Sequence, residues 1–360
     1  MTFNLEKFIR DIFNPAKGEV VTVMHDLPHG KLADNQAWKD RRKMAAEWHG
    51  ALTKLSDKWG IKVNPIVTYE ATGSGGAELP KKGRMGGSEV DLEQVINEST
   101  IILSMPEFSA TAPLYARAKK LKKLRVGSMP GVAKSMEETS LSANYKIIIK
   151  RCEDLAPYFQ KAVGAEVEFS SGHKCYFDLS AGNHVHRSDG FLHPEVAGTE
   201  RSGCNLPTGE VYVVPNEKPD SRTAGELPIM VGDQMAVCTV RNNKIVEVMG
   251  AGPEVEEERK KFKEDPARAN IAEFAIGCNE KARVTGIVLE DEKALGFHWA
   301  YGRSDHLGGT VGIKDFRSPA NVVHNDTVYA TGTPITCRKL DMIFADNTRK
   351  TLIKDGALLV

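Results

Sequence analysis

The chain has 360 residues, more than one hydrophobic core usually serves, so two domains are expected. Its 48 Lys and Arg balance 48 Asp and Glu, which leaves no electrostatic footprint for nucleic acid or an anionic membrane, and 41% hydrophobic residues mark an ordinary globular protein. No run of about 18 apolar residues exists, which argues against a helical membrane span.

The N-terminal MTFNLEKFIRDIFNP alternates apolar and charged residues and reads as a short amphipathic helix ended at Pro15. It lacks the apolar stretch and cleavage site of a signal peptide, so a cytoplasmic protein is expected. EVVTVMHD (19–26) is a β-branched strand. From Asn35 to Gly60, Trp38, Met44, Ala45, Trp48, Leu52 and Leu55 recur at helical spacing. KVNPIVTYEAT reads as a second strand and SEVDLEQVINES as a helix with Ser88 as N-cap. TIILSMP is a third strand, a helix covers 110–121, and LRVGSMPGV is a fourth strand. This alternation predicts an α/β fold: a mostly parallel α/β domain over residues 1–150. GSGG and RMGG match no phosphate-binding register and read as flexible loops.

A helix is expected over 140–163, ending in a turn at Gly164. Residues 151–360 then form an α+β, strand-rich domain. Its strands include AEVEFSS, HKCYFDLSA, GEVYVVP and LPIMVGD, with a hairpin turning at Asn242-Asn243. Residues 253–269 make a charged helix, and the tail from Lys339 reads as a closing hairpin. Six scattered cysteines form no C-x-x-C pair, so reduced and mostly buried thiols are expected rather than disulfides or a cysteine zinc site.

Polar residues in this second half sit where apolar ones belong. His324-x-Asp326 places an imidazole and a carboxylate on one face of a strand, a set that suits a borderline divalent ion. Glu273 interrupts the apolar segment IAEFAIGCN, and Glu210 opens the apolar strand of NLPTGEVYVVP. Glu292 and His298 flank the break at Gly296. Each carboxylate alone could cap a strand or pair with Arg283 or Arg303. Together they make a candidate ligand list. A further cluster, His173, His184, His186 and His193, reads either as a substrate-facing approach to the site or as solvent-facing and structural.

The order NLPTGEVY, AEFAIGCN, LEDEKALGFHWAYG, HND resembles the metallo-aminopeptidase family of aminopeptidases T and S. The likeness covers most of the C-terminal half in motif and the N-terminal half in architecture only. It implies Glu210, Glu273, Glu292, His298, His324 and Asp326 as ligands of two divalent ions (Zn, Co or Mn), with Glu273 bridging. It also implies a homodimer, and Glu210 as ligand or general base. This chain departs from the family in having Asp305 where a tyrosine stands seven residues beyond the first histidine, with His306 adjacent, and both join Glu210 as catalytic candidates. Its DE-to-His spacing is also one residue longer. The same fold resembles 2,5-dihydroxypyridine dioxygenase, an iron(II) enzyme that keeps the H-x-D but lacks a glutamate at the position of Glu273. The resulting expectation is a metal-dependent hydrolase that cleaves an amide or peptide bond in a short peptide or small molecule. The alternative is an Fe(II) ring-cleaving dioxygenase, in which His298 or His306 joins His324 and Asp326. A metal-stabilised scaffold without chemistry is the third reading.

Overall fold

The computed structural model describes residues 3–182 and 184–360. They form two compact units, Met1–Ile149 with Ser188–Thr208, and Lys150–Arg187 with Gly209–Val360. Ser188–Thr208, expected in the C-terminal domain, belongs to the first unit, because Gly203–Asn205 adds in parallel to Arg125–Ser128 there.

The first unit is a mixed, mostly parallel sheet with helices. Its order is Gly203–Asn205, Arg125–Ser128, Ile101–Ser104, Val20–Leu27, Val67–Glu70, Lys82–Met85, Ser88–Asp91, the last two strands antiparallel. The helix Gln36–Trp59 is capped by Asn35, whose side chain accepts from the Trp38 N–H, and ends at Gly60 in the left-handed region. Its expected apolar stripe (Trp38, Met44, Ala45, Trp48, Leu52) is buried, and Leu55 is half-buried.

Several elements depart from expectation, each for a local reason. RMGG is a tight turn: Gly86 and Gly87, at φ 59° and 88°, reverse the chain between Lys82–Met85 and Ser88–Asp91. Ser88 therefore opens a strand, and the helix begins at Leu92 under an Asp91 cap. KVNPIVTYEAT forms two strands, Lys62–Val63 and Val67–Glu70, with Pro65 between them. The helix expected over 140–163 is Tyr145–Lys161, and Gly164 lies inside the strand Ala162–Phe169. The charged helix covers Pro253–Glu264, and Pro266 starts a separate 3-10 turn. The N-terminal helix is Leu5–Phe13, closed by Asn14 in the left-handed region. No helix among the described residues is long and apolar enough to cross a membrane.

The second unit is built from antiparallel strands in two sheets. One has five strands in the order His186–Ser188, Glu210–Val213, Ile271–Gly277, Gly296–Gly302, His324–Ala330. The other has eight, including Ala162–Phe169, Lys174–Asp178 and the hairpin whose turn is Asn242-Asn243, both at positive φ. Residues directly opposite on paired strands share a face. Val211, Ile276 and Phe297 share one face of the five-stranded sheet, as do Phe274 and Trp299. Phe274 lies 5.1 Å from Phe177 and 5.2 Å from Phe297, and Tyr329 lies 4.5 Å from Phe169, centroid to centroid. Each of these buried rings contributes roughly 1.5–3 kcal/mol. That aromatic core holds one face of the sheet rigid. The six cysteines are free and buried.

Candidate metal centre

The opposite face of the five-stranded sheet carries the polar residues, row by row. One row is Glu273, Ala300, Asp326, and the next is Tyr212, Ala275, His298, Val328. A third is Glu210, Gly277, Gly296, Ala330. Ala275, Ala300, Gly277 and Gly296 sit between the polar residues in these rows, and such small side chains leave room for several carboxylates on one face.

Two groups can each hold a metal ion, Glu210 with Glu273 and His298, and Glu273 with His324 and Asp326; the ligand atoms of each lie within 4.8 Å of one another. Glu273 belongs to both. Its Oε1 is 3.6 Å from His298 Nε2, and its Oε2 is 3.1 Å from His324 Nε2. His298 Nε2 is 3.5 Å from Glu210 Oε2, and His324 Nε2 is 3.8 Å from Asp326 Oδ1. His324 Nδ1 donates to the Arg303 carbonyl at 2.8 Å, which fixes the ring and turns Nε2 to the carboxylates.

Of the other candidates, Glu292 belongs to neither group but borders them: its carboxylate touches the Lys293 ammonium, which Glu210 shares, and it feels the charges of Glu210, Asp326 and His298. Asp305 is engaged by Arg303, whose Nε lies 2.5 Å from Oδ1. The His306 ring packs edge-on against His324 at 4.9 Å, and its Nδ1 is 3.8 Å from Asp305 Oδ1. The Arg283 guanidinium donates to the backbone carbonyls of Glu280 and Ala282. His173, His184, His186 and His193 join neither group. His173 bonds Ser171, and His186 stacks on Tyr212 and donates to the Leu307 carbonyl. His184 meets His186 edge-on, and His193 stacks on Phe191 in the first unit.

Sequence reasoning missed Lys293. Its side chain is 0% exposed and its Nζ lies 2.7 Å from Glu210 Oε1 while also touching Glu292. A Cβ on Gly277 would stand 2.0 Å from the Ala294 carbonyl oxygen, so glycine is what allows this loop to cross the sheet there. The only trace in the sequence is a lysine between an acidic pair and an apolar strand.

The electrostatics fit divalent cations. Glu210, Glu273, Glu292 and Asp326 are buried or nearly so, with Lys293 as the one permanently charged cation in contact with them among the described residues. Burial alone would lower both imidazoles. Glu210 and Glu273 nevertheless push His298 up to about 10, and Asp326 and Glu273 push His324 up to about 9. Burial would raise Glu273, but its two histidines hold it well below the usual range, and Lys293 and His298 likewise keep Glu210 low. Burial pushes Asp326 up, and pushes Glu292 up to about 8 against the pull of Lys293. His306 is lowered by burial, and Asp305 is lowered chiefly by its bond to His306 and by Arg303. His298 Nε2 is buried with no hydrogen-bond partner, an orphan that a metal would satisfy. The donor set of carboxylates and imidazoles suits Zn, Mn, Co or Fe.

No protein-family model matches the sequence, and no curated protein matches it. Solved structures do. The chain is similar to 2,5-dihydroxypyridine dioxygenase from Pseudomonas putida KT2440, with a TM-score of 0.65 at 15% identity, covering 99% of this chain and 97% of that one. It is also similar to AmpT from Thermus thermophilus, with a TM-score of 0.59 at 16% identity, covering 99% of both chains. The fold is therefore the one shared by the AmpT aminopeptidase and this dioxygenase.

Proposed function

We propose that the chain is a two-metal hydrolase that cleaves an amide or peptide bond in a short peptide or similar small substrate. One observation carries this reading: the two oxygens of Glu273 address two different ligand groups, as a bridging carboxylate must. Ions held by Glu210, Glu273 and His298 and by Glu273, His324 and Asp326 would supply Lewis acidity and a water ionised near neutral pH.

The residues around them do the rest. Lys293 fixes Oε1 of Glu210, which leaves Oε2 turned toward His298 and the ligand cluster. Kept ionised, Glu210 is able to take a proton from a nucleophile and return it to a leaving amine. The Arg303 carbonyl sets the His324 tautomer, and His306 limits the movement of that ring. A homodimer, implied by the family resemblance, is proposed with this reading.

The oxygenase alternative is favoured by a specific set: His298, His324 and Asp326 offer two imidazoles and a carboxylate on one sheet face, in a fold shared with a dioxygenase. Glu273 between the two histidines weighs against it. The test has an anaerobic arm for amide cleavage and an aerobic arm for oxygen uptake. Metal-stripped protein reloaded with Zn²⁺, Mn²⁺ or Co²⁺ under nitrogen is expected to release chromophore from aminoacyl anilides. Iron-dependent oxygen uptake with 2,5-dihydroxypyridine, and no amide cleavage, would overturn the proposal.

A further inference from the structure

The strand His324–Ala330 closes one end of the five-stranded sheet and, among the described residues, has a neighbour on one side only. The Arg303 N–H donates to the Val323 carbonyl at 2.7 Å, which with the register fixes the alternation along the strand. Asn325, Thr327 and Tyr329 exchange backbone hydrogen bonds with Gly296–Gly302, while Asp326 and Val328 point their N–H and C=O outward. Such an edge is a template for another extended chain.

A groove of about 230 Å³ runs along this edge. Pro228 and Met230 line it, as do Val284 and Val288, with Met230 37% and Val288 50% exposed. The Tyr329 hydroxyl donates to the Pro228 carbonyl on the aromatic side, and Val328 and Val284 pack against the Ala282, Ala294 and Ala330 cluster on the metal side, so the groove straddles the strand. Asp291 and Asp326 are its charged lining residues, with no lysine or arginine among the described ones. At Asp326 the groove meets the ligand cluster.

We infer that this groove is the main-chain docking site of the substrate. An extended peptide, neutral or cationic and with apolar side chains, adds as a strand to the free edge at Asp326 and Val328 and brings its reacting bond to the metal centre. The apolar lining, with no lysine or arginine among the described residues to pair an anion, selects this occupant over an anionic one. The continuity with Asp326 selects a substrate over a partner that would seal the site. The inference rests on the hydrolase reading, and its test is separable from activity.

The probe is Leu-Thr-Leu-Thr-Lys amide with its first peptide bond reduced so that it cannot be cleaved there. The readout is amide hydrogen exchange in the metal-loaded protein. Without peptide, the Asp326 and Val328 amides should exchange faster than those of Asn325 and Thr327. Saturating peptide should slow both outward amides by roughly tenfold or more. Two isomers N-methylated at successive residues have the same composition, yet neighbouring N–H groups face opposite edges, so only one isomer should lose binding. Val328→Pro removes an outward N–H at no cost to the sheet ladder and should abolish the protection at Asp326 while metal content stays unchanged. Binding with equal loss for both isomers, or with no protection at either amide, overturns the inference. So does protection already present without peptide and rising with protein concentration, which would assign the edge to a second copy of the chain. Protection without cleavage of any amide would sink the hydrolase reading and leave the docking edge standing. Cleavage without protection would do the reverse.

Discussion

Replacing Glu273 by Gln keeps its size and removes its charge at the point where both ligand groups meet. The carboxylate presents one oxygen to His298 at 3.6 Å and the other to His324 at 3.1 Å. Glutamine has a single carbonyl oxygen, and its NH₂ is a donor that cannot ligate a cation. One group therefore drops from three ligand atoms to two, and the other exchanges an anion for a neutral amide. Loss of partners in the outer shell of a metal site already costs 10–100-fold in affinity, so loss of a ligand should weaken the depleted position by at least about 100-fold, or about 2.8 kcal/mol. Titration calorimetry of chelator-treated protein with Zn²⁺, together with metal analysis after dialysis, reads both numbers. Wild-type protein is expected to bind two ions per chain and Glu273→Gln one, with unchanged far-UV circular dichroism. A variant that still binds two ions with wild-type affinity would refute the bridging role.

Other consequences are as specific. Glu210→Gln should keep the fold and the ion among Glu273, His324 and Asp326, weaken the ion it ligates itself, and lower the rate of amide cleavage by roughly 10²-fold or more, measured as rate and metal content on one preparation; an unchanged rate with two ions bound would leave Glu210 a structural residue. Lys293→Met leaves Glu210 and Glu292 buried without their cation, which should destabilise the metal-free protein by about 3–5 kcal/mol. Added Zn²⁺ should recover part of that loss, and an unchanged melting temperature in chelator would count against the account. Metal binding should also release protons. In the metal-free protein His298 and His324 hold theirs up to about pH 10 and 9, so the protonated pair supports the fold at low pH and that support is lost as pH rises through this range. An ion competing for the same nitrogens should bind more tightly as pH rises toward 9, with proton release detectable at pH 7.5 by calorimetry in two buffers; zero release would show that these imidazoles are not ligands.

The reach of sequence reasoning here follows the range of the interactions involved. The H-x-D triplet and the isolated Glu273 were visible because strand alternation is a local rule, and a lone carboxylate in an apolar strand needs a partner wherever the strand ends up. The parallel order of the first unit follows likewise from alternating strands and helices. What failed was non-local or depended on two residues. The pairing of Gly203–Asn205 with Arg125–Ser128 leaves no local pattern, so the return of Ser188–Thr208 to the first unit was invisible. Ser88 was a reasonable cap until Gly86 and Gly87 made a hairpin of the residues around it. Lys293 carried no signal because its depth depends on a loop crossing Gly277, and no periodicity encodes that crossing. The sharing of Lys293 between Glu292 and Glu210 is likewise a contact that no local pattern encodes.

Whether Glu273 joins two ions or merely orients two histidines can be seen outright. Anomalous diffraction from crystals of the protein grown with zinc would place each ion by its own scattering. The account predicts two peaks in each chain, one among Glu210, Glu273 and His298 and one among Glu273, His324 and Asp326, with the Glu273 carboxylate between them. A single peak held by His298, His324 and Asp326, with Glu273 unligated at saturating metal, would contradict it and assign the site to one-metal chemistry.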